Sequence, residues 1–442
     1  MSALTMRRTE RNLLVLISVV ILAAFLIIDF AARGFFAPIG LVIPLSLGIM
    51  FAAVHLALSK YRASADQLLL PAVSLLTGLG VAMIYRLTGG IGALQQTLWV
   101  LVSVIGAGVI IVKLPNTRVL LRTPLVFMVT GLILLALPFM PVIGATINGA
   151  TLWLRIGELS VQPAEFAKVA LIIGFAGYLA KNQSQLTFIH RKVFGVKLPR
   201  PKDILPLIVV WLVSLLLLVG QRDLGTSLLF FGAAVLLLYL TTGRSSWLVI
   251  GSVLLVVGGT AASLVFDHVR ARFSIWLDPF ADISGSGFQV VQGIYGLAAG
   301  GIFGTGLGQG NPNLVPYVES DFIFTAIAEE LGLVGAAAVI LLYGLIVSKA
   351  MKTAVSVRSV GNKLIAGGIA IFIFLQVVIT IGGVTAALPL TGLTTIFLSA
   401  GGSSLVASWA LIALLFALQD QDQILGQLPV ELSDDQTRAI SL

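Results

Sequence analysis

Cysteine is absent from the 442 residues, and only 10% of them are charged, whereas 58% are hydrophobic. The lack of cysteine excludes disulfide bonds and thiolate metal sites. The hydrophobic content of 58% excludes an ordinary soluble globule, in which apolar residues make up about 45–50% of the chain. The three histidines, His55, His190 and His268, are far apart and match neither a metal site nor a catalytic triad. The composition therefore predicts an integral membrane protein.

Long apolar runs follow one another along the chain. A transmembrane helix needs about 20 mainly apolar residues, and about twelve segments meet that length. The first follows Arg7, Arg8 and Arg11 without a small-residue cleavage pattern, so we interpret it as a retained anchor. We therefore predict an all-α, multi-pass membrane protein with spans near 13–32, 38–58, 68–85, 96–112, 124–143, 162–180, 204–220, 225–242, 247–266, 322–347, 364–386 and 400–418.

Basic residues are unevenly distributed between alternate loops. If the N-terminus is cytoplasmic, the inner side holds 20 of the 27 basic residues, namely Arg7, Arg8, Arg11, Lys60, Arg62, Lys113, Arg118, Arg122, Lys181, Arg191, Lys192, Lys197, Arg200, Lys202, Arg244, Lys349, Lys352, Arg358, Lys363 and Arg438. The outer side keeps Arg33, Arg86, Arg155, Arg222, Arg270 and Arg272, and Lys168 lies within a span. The positive-inside rule then predicts that both termini are cytoplasmic. The net charge of +8 follows from these loops and does not indicate nucleic-acid binding.

The longest hydrophilic gap, 267–321, falls on the predicted outer face. A loop of this length is usually functional or disordered, and its apolar residues favour an ordered loop that docks on the bundle. We predict a short helix or re-entrant segment at 290–304. Asp282 precedes Gly285 and Gly287, which let a ligand approach the backbone closely. Asp278 precedes a proline and also fits a simple turn.

Glu165, Lys168, Glu329 and Glu330 fall within predicted spans, where charged groups are costly. Glu165 and Lys168 are three residues apart on one helical face, and we predict that they pair. Such a pair either fixes helix packing or belongs to a polar cavity for a charged ligand. Glu329 and Glu330 are adjacent and point about 100° apart, so only one can face a common cavity squarely.

Two further polar clusters, 221–231 and 387–405, lie near the outer ends of predicted spans. The first contains Arg222 and Asp223, and the second is rich in glycine, serine and proline. Irregular backbone at membrane depth is tolerated only where it lines a cavity or packs on protein. The alternating glycines of GTGLGQG (304–310) follow no strand, so they favour a turn or close packing over a phosphate-binding loop.

Taken in order, these clusters resemble the motifs of the shape, elongation, division and sporulation (SEDS) family of membrane glycosyltransferases, typified by RodA and FtsW. The matching stretches are GATLWLRIGELSVQPAEFAKV, QRDLGTSLLFF, LDPFADISGSGFQVVQG with GTGLGQG, ESDFIFTAIAEELG and LPLTGLTTIFLSAGGSSL. The resemblance implies a membrane core of about ten spans in residues 61–419, an additional hairpin in 1–60 and a polar cytoplasmic tail in 420–442. The chain departs from the family pattern at Ile283, often proline, and at Phe288, usually tyrosine. It also departs in the late motif, where TTIF and SAGG stand for PLPF and SYGG.

The resemblance implies that the chain polymerises lipid II, an undecaprenyl-pyrophosphate-linked disaccharide pentapeptide. The reaction would occur at the outer face of the bacterial cytoplasmic membrane, in cell elongation or division. Asp282 matches the family's essential loop aspartate and is the expected base or cation ligand, with Asp278 as the alternate. A base must lie near the attacking hydroxyl and positive charge near the pyrophosphate. The candidates for substrate binding are Trp153, Arg155, Glu165, Lys168, Arg222, Arg270, Arg272, Gln289, Asp321, Glu329 and Ser403.

No cofactor is required by the sequence, although Mg²⁺ or Mn²⁺ would suit a carboxylate and a pyrophosphate. Two other functions fit a polytopic protein: a transporter that flips lipid-linked precursors, and a scaffold without chemistry. Between the N-terminus and the tail, most carboxylates gather near the outer face, with Asp66 and Asp203 as inner exceptions. A flippase would need polar residues through both leaflets, so this distribution favours an enzyme. No predicted outer loop is long enough for a transpeptidase, and the family resemblance implies a class B penicillin-binding protein as partner.

Overall fold

The computed structural model describes residues 7–114, 117–147, 149–157, 159–187, 191–193, 196–198 and 200–427. Ten helices in these ranges are long and apolar enough to cross a membrane. This confirms a mainly helical, multi-pass membrane protein, while the count of twelve spans stays a prediction. The helices are α1 (Arg8–Arg33), α2 (Pro38–Tyr61), α3 (Leu69–Lys113), α4 (Pro124–Ala136), α5 (Pro163–Lys181), α6 (Gln183–Thr187), α7 (Pro201–Gly220), α8 (Leu224–Thr242), α9 (Ser246–Val265), α10 (Asp267–Leu277), α11 (Phe288–Gly300), α12 (Ile323–Ser356), α13 (Val360–Val384) and α14 (Gly402–Gln427).

Two of the long helices are broken at a glycine. Helix α3 is 45 residues long and is interrupted at Gly89 (φ 75°, ψ −166°), between the two spans predicted in this region. Helix α12 is interrupted at Gly332 (φ 68°, ψ −170°). Both glycines adopt a positive φ that is costly for other residues. Each helix therefore changes direction at its glycine and continues as a helix on the other side.

Short strands occur in two places, which the all-α prediction missed. Strands β1 (Gly144–Ile147), β2 (Ala150–Ile156) and β3 (Leu159–Val161) form an antiparallel sheet, and β4 (Arg191–Val193) pairs with β5 (Val196–Leu198). Strands of three to seven residues show too little alternation to be recognised from the sequence. The first sheet fills the link between α4 and α5, which the sequence analysis treated as part of a span and a loop.

The helices pack in a bundle whose centre is formed by α5, α13 and α14, the spans with the most buried residues. The N-terminal hairpin of α1 and α2 packs on α3. Helix α9 contacts mainly α8 and α10, and only 6% of the residues in its most apolar stretch are buried. It also lines one side of a groove that it shares with α7, α8 and α10. The end of the predicted tail, 428–442, lies outside the described residues.

Candidate functional site

The 267–321 segment is folded onto the bundle as α10, a 3₁₀ turn (Pro279–Asp282), α11 and a second 3₁₀ turn (Pro312–Leu314). Helix α11 confirms the short helix predicted in this loop. Two side chains of α10 attach it to the link between α13 and α14: Arg272 Nη1 donates to the carbonyl of Leu390 (2.5 Å), and Trp276 Nε1 donates to that of Ala386 (3.1 Å). The segment is thus an ordered surface that can hold catalytic groups.

Asp282 ends the first 3₁₀ turn and is exposed. Its Oδ2 accepts hydrogen bonds from the backbone N–H of Ser286 (2.8 Å) and from the Ser286 hydroxyl (3.1 Å). These bonds to Ser286 lower the pKa of Asp282, so the side chain is a carboxylate at neutral pH. Both Ser286 bonds reach the same oxygen, Oδ2.

The glycines around Asp282 are required by close contacts. A Cβ added to Gly285 would lie 2.2 Å from Asp282 Oδ2, and one added to Gly287 would lie 2.2 Å from the Pro279 carbonyl oxygen. Any side chain at these positions would displace the carboxylate or open the turn. Asp278 has a different role: its Oδ1 accepts from the N–H of Phe280 (3.2 Å) and begins the turn. This contact favours the turn interpretation of Asp278.

A cavity of about 230 Å³ with a mixed polar and apolar lining lies beneath this loop, and we call it the outer cavity. It brings Arg272, Gln289 and Asp321 together with Ser286, the residue that holds Asp282. Burial raises the pKa of Asp321 to about 6, while the Arg272 guanidinium acts in the opposite direction. The residues that line the outer cavity are Arg272, Ile275, Trp276, Ser286, Gln289, Val290, Asp321, Gly383, Ala386, Leu388, Leu390 and Gly392.

A second, almost entirely apolar cavity of about 450 Å³ adjoins the first, and we call it the apolar groove. Side chains of α7, α8, α9 and α10 line it, together with residues 388–391. Arg272, Leu388 and Leu390 line both cavities. Arg272 therefore lies where the outer cavity meets a surface suited to a hydrocarbon chain.

Glu165 and Lys168 form the predicted ion pair, with Lys168 Nζ 2.6 Å from Glu165 Oε2 and both side chains at most 5% exposed. Lys168 also donates to Gln376 Oε1 (3.2 Å), and Gln376 Nε2 donates to the carbonyl of Thr394 (2.9 Å). The cavity beside the pair measures about 10 Å³, room for about one water molecule. The arrangement connects α5, α13 and the 394 segment, and it favours the packing interpretation over a ligand pocket.

Glu329 and Glu330 hold the glycine-rich loop. Glu329 Oε1 accepts from the N–H of Asn311 (2.6 Å), and Glu330 accepts from the N–H of Gly308 (2.8 Å) and from Arg86 Nε (3.1 Å). Three glycines of this loop have positive φ, with Gly306 at 101°. The turn and close-packing interpretation of GTGLGQG is therefore confirmed, and Glu329 contacts protein backbone here.

The other predicted binding residues lie outside the outer cavity, and their contact with substrate stays a prediction. Ser403 Oγ accepts from the N–H of Gln162 (2.9 Å) at the start of α5. Arg270 is exposed and donates to the carbonyls at the end of α9. Arg222 has a positive φ of 62° and reaches the turn at Gly149. Trp153 and Arg155 lie on β2.

Sequence reasoning missed Ser286 and Gln376. Ser286 lies between two glycines and fixes Asp282. Trp276, one of the apolar residues expected to dock this loop on the bundle, anchors α10. Gln376 is a polar residue within a predicted span, which by itself marks a functional candidate. No group of three or more His, Cys, Asp or Glu side chains in the described ranges could hold a metal ion.

Comparison with known proteins agrees with these features. The family model of the FtsW, RodA and SpoVE cell cycle proteins matches residues 66–424. The peptidoglycan glycosyltransferase RodA of Mycobacterium leprae is 41% identical over 425 residues, which cover 93% of this chain and 90% of the relative. Stage V sporulation protein E of Bacillus subtilis is 32% identical over 63% of this chain and 74% of its own length.

Solved structures show the same fold. A chain from "Structural coordination of polymerization and crosslinking by a peptidoglycan synthase complex" aligns with a TM-score of 0.67 and 27% identity, over 81% of this chain and 98% of its own length. The rod shape determining protein RodA of Thermus thermophilus aligns over the same shares, with a TM-score of 0.59 and 24% identity. The latter likeness concerns the fold alone.

Proposed function

This chain belongs to the FtsW, RodA and SpoVE family of cell cycle proteins, and from that premise we propose that it is a peptidoglycan glycosyltransferase that polymerises lipid II. The observation that carries this proposal is the position of Arg272 at the junction of the outer cavity and the apolar groove. Lipid II presents a hydrocarbon chain, a pyrophosphate and sugars in that order. The groove, Arg272 and the outer cavity offer matching surfaces in the same order.

The membrane-facing side of the site supports a lipid-linked substrate. The apolar groove is bordered by α9, the least buried of the candidate spans, so a prenyl chain can enter from the bilayer. A guanidinium is suited to pyrophosphate because it presents several donors in one plane. One Arg272 donor is used by the Leu390 carbonyl. Arg272 Nη2 and Asp321 Oδ2 both lie beside Gly392, 3.9 Å and 3.7 Å from the position that a Cβ would take there. Donors therefore remain for the leaving group.

The chemistry needs one proton acceptor and one site for the developing negative charge. The Asp282 carboxylate accepts the proton of the attacking sugar hydroxyl as the hydroxyl oxygen bonds to the anomeric carbon. The bond between that carbon and the pyrophosphate oxygen breaks, and the leaving group keeps the electron pair. Arg272 stabilises the charge on the pyrophosphate. A positioned base typically contributes about 10²–10⁴-fold to the rate.

Orientation and partnership complete the proposal. The chain is a multi-pass membrane protein, and the basic loops favour cytoplasmic termini with the 267–321 segment outside. In this orientation the site faces the compartment in which wall is assembled. A class B penicillin-binding protein would supply crosslinking, in line with the complex described for the structural neighbour, which coordinates polymerisation and crosslinking.

The experiment is polymerisation by the purified full-length protein in detergent, supplied with lipid II alone. We expect glycan chains that a gel resolves and that a muramidase removes. Lipid II that stays monomeric with the wild-type protein, together with movement of labelled lipid II across reconstituted vesicles, would instead identify a precursor flippase. Preparations are checked for a contaminating polymerase by treating the same sample with an inhibitor of penicillin-binding-protein glycosyltransferases.

A further inference from the structure

The turn that carries Asp282 is closed by backbone hydrogen bonds, and Ser286 adds a side chain to them. The Asp282 carbonyl accepts from the N–H of Gly287 (3.1 Å), and the N–H of Phe288 donates to the carbonyl of Gly285 (3.2 Å). This turn places the N–H of Ser286 2.8 Å from Asp282 Oδ2. Any residue except proline would supply that N–H, because it belongs to the backbone. The Ser286 hydroxyl, 3.1 Å from the same oxygen, is a second donor that depends on the residue type.

A second donor matters because the Asp282 side chain is exposed. An exposed aspartate rotates about two side-chain torsions, and holding it in one rotamer costs conformational entropy that contacts must offset. Little packing restrains this carboxylate, so its direction depends on the two donors of Ser286. A general base must lie within hydrogen-bond reach of the proton that it takes. The rate therefore depends on how much of the time the carboxylate points in the productive direction.

Ser286 also lines the outer cavity, so it connects the base to the wall that contains Arg272. Helix α11, which begins two residues after Ser286, packs closely on the start of α12: a Cβ added to Gly293 would lie 2.5 Å from the ring of Phe322. Arg272 is fixed separately by its bond to the Leu390 carbonyl (2.5 Å). Both reacting groups are thus attached to the same bundle, and Ser286 is the attachment on the side of the base.

We infer that Ser286 is a positioning residue for the polymerisation reaction: its hydroxyl keeps the Asp282 carboxylate at the edge of the outer cavity, at a fixed distance from the pyrophosphate that Arg272 binds. The inference rests on the proposed glycosyl transfer. Ser286 takes up no proton in the reaction and acts only through Asp282.

Two other roles of Ser286 lead to different measurements. A residue that only closes the loop is needed for stability, so its loss lowers the unfolding midpoint. A residue that contacts the sugar in the outer cavity is needed for binding, so its loss raises KM. A positioning residue acts on the bound complex, and its loss lowers kcat while KM is unchanged.

The test compares two substitutions of Ser286 in the full-length protein, purified in detergent, by initial rates of lipid II consumption over a series of concentrations. The backbone of Ser286 lies outside the positive-φ region, so alanine and threonine both fit it. Ser286→Ala keeps the N–H donor and removes the hydroxyl, whereas Ser286→Thr keeps both. We expect Ser286→Ala to lower kcat about tenfold, a part of the roughly 10²–10⁴-fold that a positioned base contributes. KM and the unfolding midpoint should match those of the wild type, and Ser286→Thr should restore most of kcat.

The matched control is Ser284→Ala, the same substitution at an exposed serine of the same turn. Both donors to Asp282 Oδ2 come from Ser286, so the control should keep the wild-type kcat. An equal loss of kcat in Ser284→Ala, or a lower midpoint in Ser286→Ala, would overturn the inference in favour of loop closure.

Three further outcomes would also contradict the inference. A raised KM at unchanged kcat in Ser286→Ala would replace positioning by substrate contact. A Ser286→Thr variant as slow as Ser286→Ala would show that the hydroxyl is not the cause. A wild-type kcat in Ser286→Ala would overturn the inference and leave the proposed function intact, since polymer would still form. By contrast, absence of polymer from the wild-type protein would refute the proposed function and this inference together.

Discussion

Reversing the charge of Lys168 tests how the buried ion pair supports the bundle. In Lys168→Glu two carboxylates would face each other where Nζ now lies 2.6 Å from Glu165 Oε2. The new carboxylate would also face Gln376 Oε1, and that amide cannot turn without losing its bond to Thr394. Breaking a buried pair costs about 3–5 kcal/mol. We expect a large fall in the unfolding midpoint of the purified protein and loss of polymerisation.

The double variant Glu165→Lys/Lys168→Glu should recover most of this loss but not all of it. Glu165 lies in the first turn of α5, where a negative charge is favoured by about 0.3–1 kcal/mol and a positive one is not. Lys349→Glu is the matched control, because Lys349 and Asp66 are also 2.6 Å apart but are partly exposed. Because water screens this pair more than the buried one, breaking it should cost less than breaking the Glu165–Lys168 pair. A double variant as unstable as Lys168→Glu, or a control with the same loss, would refute the reasoning.

Three further outcomes follow from the same account. Since the chain has no cysteine, an impermeant thiol reagent should label Ser284→Cys in intact cells and spare Ser184→Cys, and the reverse pattern would invert the topology. Burial raises the pKa of Asp321 to about 6, above its unfolded value of about 3.9, so the folded protein should lose stability as the pH rises from 4 to 6, by about 2–3 kcal/mol. In denaturation scans, Asp321→Asn should reduce the change of stability with pH between pH 4 and 6. An unchanged pH dependence would contradict the raised pKa of Asp321. The tagged protein should co-purify with a single-span transpeptidase, whereas crosslinking that recovers only transport proteins would contradict the partnership.

The spans could be predicted because the bilayer imposes a length and an apolar composition on each of them. The direction of the side chains in the 267–321 segment could not be predicted. Arg270 and Arg272 are two residues apart and were equivalent in the sequence, but α10 turns them about 200° apart, so that Arg272 lines the outer cavity and Arg270 caps α9. Glu329 looked like a ligand group because it is a carboxylate in a span. Its partner, the N–H of Asn311, is on a loop whose path the sequence does not specify.

Asp282 also shows what the sequence can and cannot supply. The two glycines after it indicated close approach of the backbone, but the contact that they allow is with the Asp282 carboxylate and with Pro279. The hydrogen bonds from Ser286 were not foreseen, since a serine between glycines has no preferred partner in the sequence. The family resemblance selects this aspartate as the predicted base, and the structure adds that Ser286 holds its Oδ2.

The central claim is tested most directly by chain formation from lipid II by purified Asp282→Asn. Asparagine preserves the size of the side chain and can still accept the Ser286 bonds, but it cannot take up a proton. We predict that this variant forms no glycan chains while its expression and unfolding midpoint match those of the wild type. Asp278→Asn, which alters only the start of the turn, should remain active. Near-normal polymer from Asp282→Asn would contradict the mechanism, and loss of activity in Asp278→Asn alone would assign the base to Asp278.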